Sequence, residues 1–198
     1  MNLSALTDQR ERQCCLVKTL LIDMDSVICD LMTEWHRRYN KDYDDDLSVS
    51  KLECWDSEKY VKEECGEKIY DYLDEPGLFL SLEPLDNAIQ VLERLHKQFD
   101  IFICTSSRKY AYTEKEKWVE KNLPFLGRDR MIFAQRKDMI IGDLLFDDAP
   151  HHLEAFKEKG RSVVAMDYPY NRQIDVPRVD NWLAFEAFVL ERWAYDER

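Results

Sequence analysis

Five short apolar runs, at 17–22, 100–104, 131–134, 144–146 and 162–166, constrain this chain more than any other feature of it. Each has the length of a strand, and most are apolar on both faces. That is the pattern of parallel strands covered by helices on either side. Helix-period segments separate most of them. Leu85, Ala88, Ile89, Leu92 and Leu95 fall on one helical face. Thr113 and Glu116 have the spacing of a capping box and predict the start of a helix carrying Trp118 and Val119. Pro150 suits a first helical turn and Gly160 the stop of that helix, while Trp182, Phe185, Val189 and Trp193 form the stripe of a last one. The alternation predicts an α/β fold, a doubly wound parallel five-stranded sheet.

One stretch breaks the alternation. About 60 residues between the first strand and the helix near Leu85 hold no convincing strand, and so long a structureless loop is uncommon in a compact domain. The segment reads instead as helices near 30–40 and 57–73, with an acidic loop between and a Pro76-Gly77 turn after. A chain of 198 residues has room for one domain with such an insertion. The expected organisation is an N-terminal extension over 1–16, a core made of 17–30 and 83–198, and a helical cap over 31–82.

Charge and composition narrow the partners. There are 28 basic and 40 acidic residues, a net charge of −12, which argues against a nucleic acid polymer or an anionic membrane as partner. No apolar run approaches the roughly 20 residues of a membrane span. Asp8, Arg10, Glu11 and Arg12 stand where a signal peptide needs its apolar stretch, so a cytoplasmic location is expected. The cysteines at 14, 15, 29, 54, 65 and 104 form no C-x-x-C pair and no zinc-finger spacing with histidine. They read as reduced thiols, with Cys29 and Cys104 in the core.

The chemistry lies where the strands end. The first runs from Leu20-Leu21-Ile22 into Asp23-Met24-Asp25, the second from Ile101-Phe102-Ile103-Cys104 into Thr105-Ser106, and the fourth from Leu144-Leu145-Phe146 into Asp147-Asp148. Open α/β sheets bind ligands at the carboxyl ends of their strands. Four carboxylates and two hydroxyls are therefore expected on one rim. Clustered carboxylates repel one another, and a hard cation such as Mg²⁺ relieves the repulsion while keeping positions open for phosphate oxygens. An aspartate in such a site can attack phosphorus, and a second carboxyl group two residues on can protonate the leaving oxygen.

These motifs in this order resemble the haloacid-dehalogenase-type phosphatases. At closer range, Asp23-Met24-Asp25-Ser26-Val27, Ile103-Cys104-Thr105-Ser106, Glu114-Lys115 with Trp118-Val119-Glu120-Lys121, and Leu144-Leu145-Phe146-Asp147-Asp148 resemble the 5′(3′)-deoxyribonucleotidases. The stretch from Ile69 to Gly77 is similar to their bacterial branch. The resemblance covers roughly 17–185 and implies a role at each position. Asp23 is then the nucleophile and a Mg²⁺ ligand, and Asp25 the general acid/base, giving the metal its backbone carbonyl. Asp148 completes the metal site, with Asp147 as ligand or water anchor. Thr105 and Ser106 bind the phosphoryl oxygens, and Lys137 and Lys115 face the phosphate. The cap then closes over the nucleoside; of Leu31, Trp35, Trp55 and Tyr60, the favoured contacts are Leu31 and Trp55. The implied substrate is a deoxyribonucleoside monophosphate, and a homodimer is implied by analogy.

Some features stay open at this point. Ser26 stands where many relatives carry glycine. Ser107-Arg108-Lys109 and Gln135-Arg136 add positive charge either near the phosphate or on solvated surface. Asp42, Asp44, Asp46 and Glu53 fit four positions of a calcium loop, but Leu47 replaces its glycine. His151-His152 reads either as a metal-side pair or as helix-end surface. A phosphatase of another small metabolite, such as a sugar phosphate, and a non-catalytic scaffold remain the rival functions.

Overall fold

The computed structural model describes residues 17–193. The expected extension over 1–16, with Cys14 and Cys15, lies outside the described residues. Strands β1 (Thr19–Ile22), β2 (Asp100–Thr105), β3 (Met131–Phe133), β4 (Leu144–Asp147), β5 (Ser162–Met166) and β6 (Arg178–Val179) form one sheet in the order β3-β2-β1-β4-β5-β6. Every pairing is parallel. The helices are α1 (Leu31–Tyr43), α2 (Ala88–Leu95), α3 (Tyr112–Asn122), α4 (Pro150–Glu158) and α5 (Trp182–Trp193).

Both faces of the sheet are buried, which explains the unbroken apolar runs. Leu20 and Ile22 enter a core shared with Leu92, Leu95, Trp182, Phe185 and Val189 of α2 and α5. Leu21, between them, points to the other face and packs with Leu145, Leu153 and Phe156. The chain turns from one half of the sheet to the other between β1 and β4, so their carboxyl ends flank the switch point.

Three expectations are corrected. The sheet has six strands rather than five. The extra one, two residues long, follows Pro177 and pairs with the end of β5, too short to show a period. The 57–73 segment is not an α-helix but 3₁₀ turns at Ser57–Lys59 and Gly66–Asp74. Gly66 sits at φ +50° at the start of the second turn, and an α-helix through it would have to break there. Thr113 caps nothing. A 3₁₀ turn over Lys109–Ala111 runs directly into α3, which places Thr113 inside the helix. Pro150 and Gly160 hold their expected places at the start of α4 and, at φ +73°, just beyond its end. Cys29 and Cys104 are buried free thiols.

The segment over 31–82 leaves and rejoins the sheet at one place. Asp30 N donates to Glu83 O at 2.9 Å, and Leu85 N donates to Ile28 O at 2.8 Å. Further bonds tie it down. Trp118 Nε1 donates to Leu82 O at 2.7 Å. The Glu114 carboxylate accepts from Gly77 N at 2.6 Å and Phe79 N at 3.2 Å. No described helix is long and apolar enough to cross a membrane.

The approach to β4 leaves no room for a side chain at Gly142. Asp143 N donates to Thr19 O at 2.8 Å, and a Cβ on Gly142 would lie 2.6 Å from Leu21 Cγ and 2.8 Å from its Cδ1. Leu21 is fully buried, so it has no free space to retreat into. Gly142→Ala is expected to destabilise the protein by about 1–3 kcal/mol, read as a lower urea midpoint at unchanged slope.

Candidate active site

The carboxyl ends of β1 and β4 bring three buried carboxylates together. Oxygens of Asp23, Asp147 and Asp148 lie within 4.8 Å of one another. The backbone fixes the first of them, since Asp23 N donates to Phe146 O at 2.9 Å and locks the end of β1 onto β4. Lys137 reaches in from the 3₁₀ turn Lys137–Met139, and its Nζ donates to Asp23 Oδ1 at 2.5 Å and Asp147 Oδ2 at 2.6 Å. Lys137 is 1% exposed. Asp147 also accepts from Ala149 N at 2.9 Å, which turns the chain into α4.

Asp25 has its own cation. Lys115 of α3 donates to Asp25 Oδ2, to Thr105 Oγ1 at 3.0 Å and to Ser106 O at 3.3 Å. The ring of Phe79 lies 4.6 Å from the same ammonium. Asp25 Oδ1 is buried without a hydrogen-bond partner. Between Asp25 and the 31–82 segment, Ser26 adopts φ +60°. This left-handed backbone explains why glycine suits the position; a serine there carries about 1–2 kcal/mol of strain.

The charge balance is unfinished. When all are ionised, the four carboxylates Asp23, Asp25, Asp147 and Asp148 face two ammonium groups, an excess of two negative charges under low exposure that burial resists. Burial raises the Asp23 pKa from its ordinary 3.8 to about 6, against the pull of Lys137. Burial likewise raises Asp25. Asp148 is pushed well up by burial and by the charges of Asp23 and Asp147. An all-oxygen set with an excess of two negative charges fits a divalent hard cation. Among the described residues, the His, Cys, Asp and Glu side chains close enough to share one ion are Asp23, Asp147 and Asp148.

Above this floor opens a cleft of about 310 Å³, lined by Asp23, Asp25, Asp148 and Lys137 below and by Leu31, Met32, Trp35, Trp55, Tyr70 and Leu73 above. Of the expected substrate contacts, Leu31, Trp35 and Trp55 line it. Tyr60 does not; its hydroxyl is held by Glu53 N and Cys54 Sγ instead. Ser106 lines the cleft and donates to Gln135 Oε1 at 2.7 Å, whereas Thr105 lies beneath it, fully buried on Lys115. Arg136 pairs with Asp138, and Arg108 pairs with Asp74 across to the 31–82 segment. In the acidic loop, Asp42 accepts from Tyr72 and Asp46 pairs with Lys51, so these groups are spent on local structure.

His151 and His152 both line the cleft, with ring centroids 4.1 Å apart. The residues that sequence reasoning missed lie after β5. Tyr170 donates to Asp148 Oδ2 at 2.6 Å, Asn171 Nδ2 donates to Asp148 O at 2.8 Å, and Tyr168 donates to Ser26 O at 2.9 Å. Their signal was their position at the carboxyl end of a fifth parallel strand.

The raised Asp23 pKa has a thermodynamic consequence. A folded-state pKa above the unfolded one contributes stability below about pH 4 that is lost as pH rises through about 6. Buried His36 and His152, held down to about 4 and about 3, act in the opposite sense, losing stability as pH falls. The cation-dependent increment separates the two. The rise in melting temperature on adding Mg²⁺ to the metal-free protein is expected to be larger near neutral pH than at about pH 5, as read by scanning calorimetry.

The chain matches the family model described as 5′ nucleotidase, deoxy (pyrimidine), cytosolic type C protein over residues 17–194. It is 40% identical over 139 residues to a 5′(3′)-deoxyribonucleotidase of Clostridium acetobutylicum, covering 70% of this chain and 77% of the relative. It is 30% identical over 176 residues to a 5′(3′)-deoxyribonucleotidase of Bacillus subtilis, covering 87% and 99%. Among solved structures, a haloacid dehalogenase-like protein from Agrobacterium tumefaciens superposes with a TM-score of 0.64 at 12% identity, over 89% of this chain and 99% of that one, which shows the fold. The acidic floor between β1 and β4 and the match along nearly the whole described chain agree: this protein belongs to the 5′-nucleotidase, deoxy (pyrimidine), cytosolic type C family, on a haloacid dehalogenase-like fold.

Proposed function

We propose that the chain is a Mg²⁺-dependent nucleotidase that hydrolyses the phosphate of deoxyribonucleoside monophosphates through a phosphorylated Asp23. The observation that carries this reading is the buried floor of Asp23, Asp147, Asp148 and Lys137 beneath a mostly apolar cleft. The names of the 30–40% identical relatives support the substrate class.

In the first step an Asp23 oxygen bonds to phosphorus while the bond from phosphorus to the nucleoside oxygen breaks. Asp25 gives its proton to that leaving oxygen. In the second step water bonds to the same phosphorus, Asp25 takes the water's proton, and phosphate leaves Asp23 unchanged. Burial favours the protonated Asp25 that the first step needs, and Oδ1, without a partner, is free to carry the proton. Lys115 holds Asp25 in place through Oδ2. Lys137 supplies positive charge beside the nucleophile, and Ser106 at the cleft wall can donate to a phosphoryl oxygen. A Mg²⁺ ion on Asp23, Asp147 and Asp148 would neutralise phosphate charge during attack.

Residues 31–82 would act as the cap. Their apolar side chains, Leu31 and Trp55 among them, would cover base and sugar and keep water off the phosphorylated aspartate. Phosphate release from dUMP, dTMP, UMP and a sugar phosphate, with Mg²⁺ or with chelator, tests the reading. Turnover of the deoxyribonucleotides with Mg²⁺ alone is expected; silence on every substrate would overturn it.

Two variants test the assignments. Asp23→Asn is expected to lower kcat by about 10³-fold or more while leaving the fold intact, checked by single-turnover assay and circular dichroism. Trp55→Ala is expected to raise KM for nucleotides about tenfold with little change for a small aryl phosphate; equal losses on both substrates would place Trp55 outside the nucleoside site.

A further inference from the structure

The turn after β5 touches the site at several points that the proposed chemistry does not use. Tyr168 and Tyr170 stack face to face, with centroids 5.1 Å apart and planes 8° apart. Tyr168 donates to the carbonyl of Ser26, in the loop that carries Asp23 and Asp25. Tyr170 is fully buried and donates to Asp148 Oδ2 at 2.6 Å. Asn171 Nδ2 donates at 2.8 Å to both Asp148 O and Met166 O, and Arg178 of β6 donates to Asn171 Oδ1 at 3.2 Å. On its other side the Tyr170 ring meets the edge of Trp55, 5.5 Å away at 72°.

We propose that Tyr170 is a positioning residue for the cation site: its hydroxyl orients Asp148 toward Asp23 and Asp147, and its ring seats Trp55 at the wall of the cleft. This rests on the reading of Asp23, Asp147 and Asp148 as a Mg²⁺ site. The need is electrostatic. Asp148 is 3% exposed beside two other carboxylates, and repulsion alone would turn it away or protonate it. A fixed donor on one oxygen holds that carboxylate in one orientation and leaves the other oxygen for a ligand, the arrangement by which outer hydrogen bonds sharpen metal sites.

The test is Mg²⁺ binding to the full chain by isothermal titration calorimetry, without substrate. Tyr170→Phe removes the hydroxyl and keeps the ring. It is expected to weaken Mg²⁺ binding about tenfold or more, to leave deoxyuridine binding near that of the parent, and to recover kcat at high Mg²⁺. Tyr39→Phe removes a comparable phenol bond to Asp45, just beyond the end of α1, and is expected to lower the melting temperature without moving Mg²⁺ affinity. Tyr170→Leu, lacking the ring as well, is expected to weaken both ligands. If Tyr170→Phe binds Mg²⁺ within twofold of the parent, the positioning role is overturned while the cation site stands. If the parent binds no Mg²⁺, the cation site itself falls, and Tyr170's role with it. A second readout needs no variant: Mg²⁺ drawing charge from Asp148 is expected to shift the near-ultraviolet tyrosine absorbance of the parent, and a binding isotherm with no such shift would also overturn the role.

Discussion

Lys137 sits between Asp23 and Asp147 with almost no contact with water, and the rest of the rim answers to that placement. A buried ammonium is tolerable only if charges and hydrogen bonds surround it. Two strand ends must therefore meet at a fixed distance, and the backbone bond from Asp23 N to Phe146 O holds them there. Lys115 repeats the solution one layer out, on Asp25 and Thr105. The two pairs do not balance the four acids. That imbalance, held in a poorly hydrated place, is what makes the floor fit a divalent cation.

The wall of the cleft follows from the same economy of contacts. The 31–82 segment has few long helices; it is held by tryptophan and carboxylate bonds to backbone groups, such as Trp35 Nε1 to Ile69 O at 2.8 Å and Glu114 to Gly77 and Phe79. These directional contacts act together with buried side chains such as Met32, Tyr39, Ile69 and Phe79, which continue the core of the sheet. They leave Leu31, Trp35 and Trp55 facing the acidic floor rather than one another.

What was legible in the sequence, and what was not, divides along physical lines. The strand cores show because burial on both faces demands unbroken apolar residues, and the acids after Ile22 and Phe146 show because nothing in a core explains them. The 57–73 segment misleads because Ile69 and Tyr72 are buried three residues apart, a spacing that fits an α-helix and a 3₁₀ turn alike. The short strand over Arg178–Val179 has no periodicity to read. Tyr170 gave a weaker signal: its place after a strand points to the rim, but a tyrosine there reads equally as core, and nothing in the sequence ties its hydroxyl to Asp148. Ser26 lay between these cases. Its departure from glycine was visible, but the left-handed backbone and the Tyr168 phenol on its carbonyl were not.

The paired backbone bonds joining residues 28 and 30 to 85 and 83 have a consequence beyond this chain. They set the two chain crossings side by side, at about the 5 Å spacing of neighbouring strands. Whatever is threaded between them begins and ends at the same doorway. The order of the sheet and the spacing of its acids are therefore set without regard to how many residues lie between those crossings, while Glu114, Trp118 and Arg108 fasten this particular excursion to the rim.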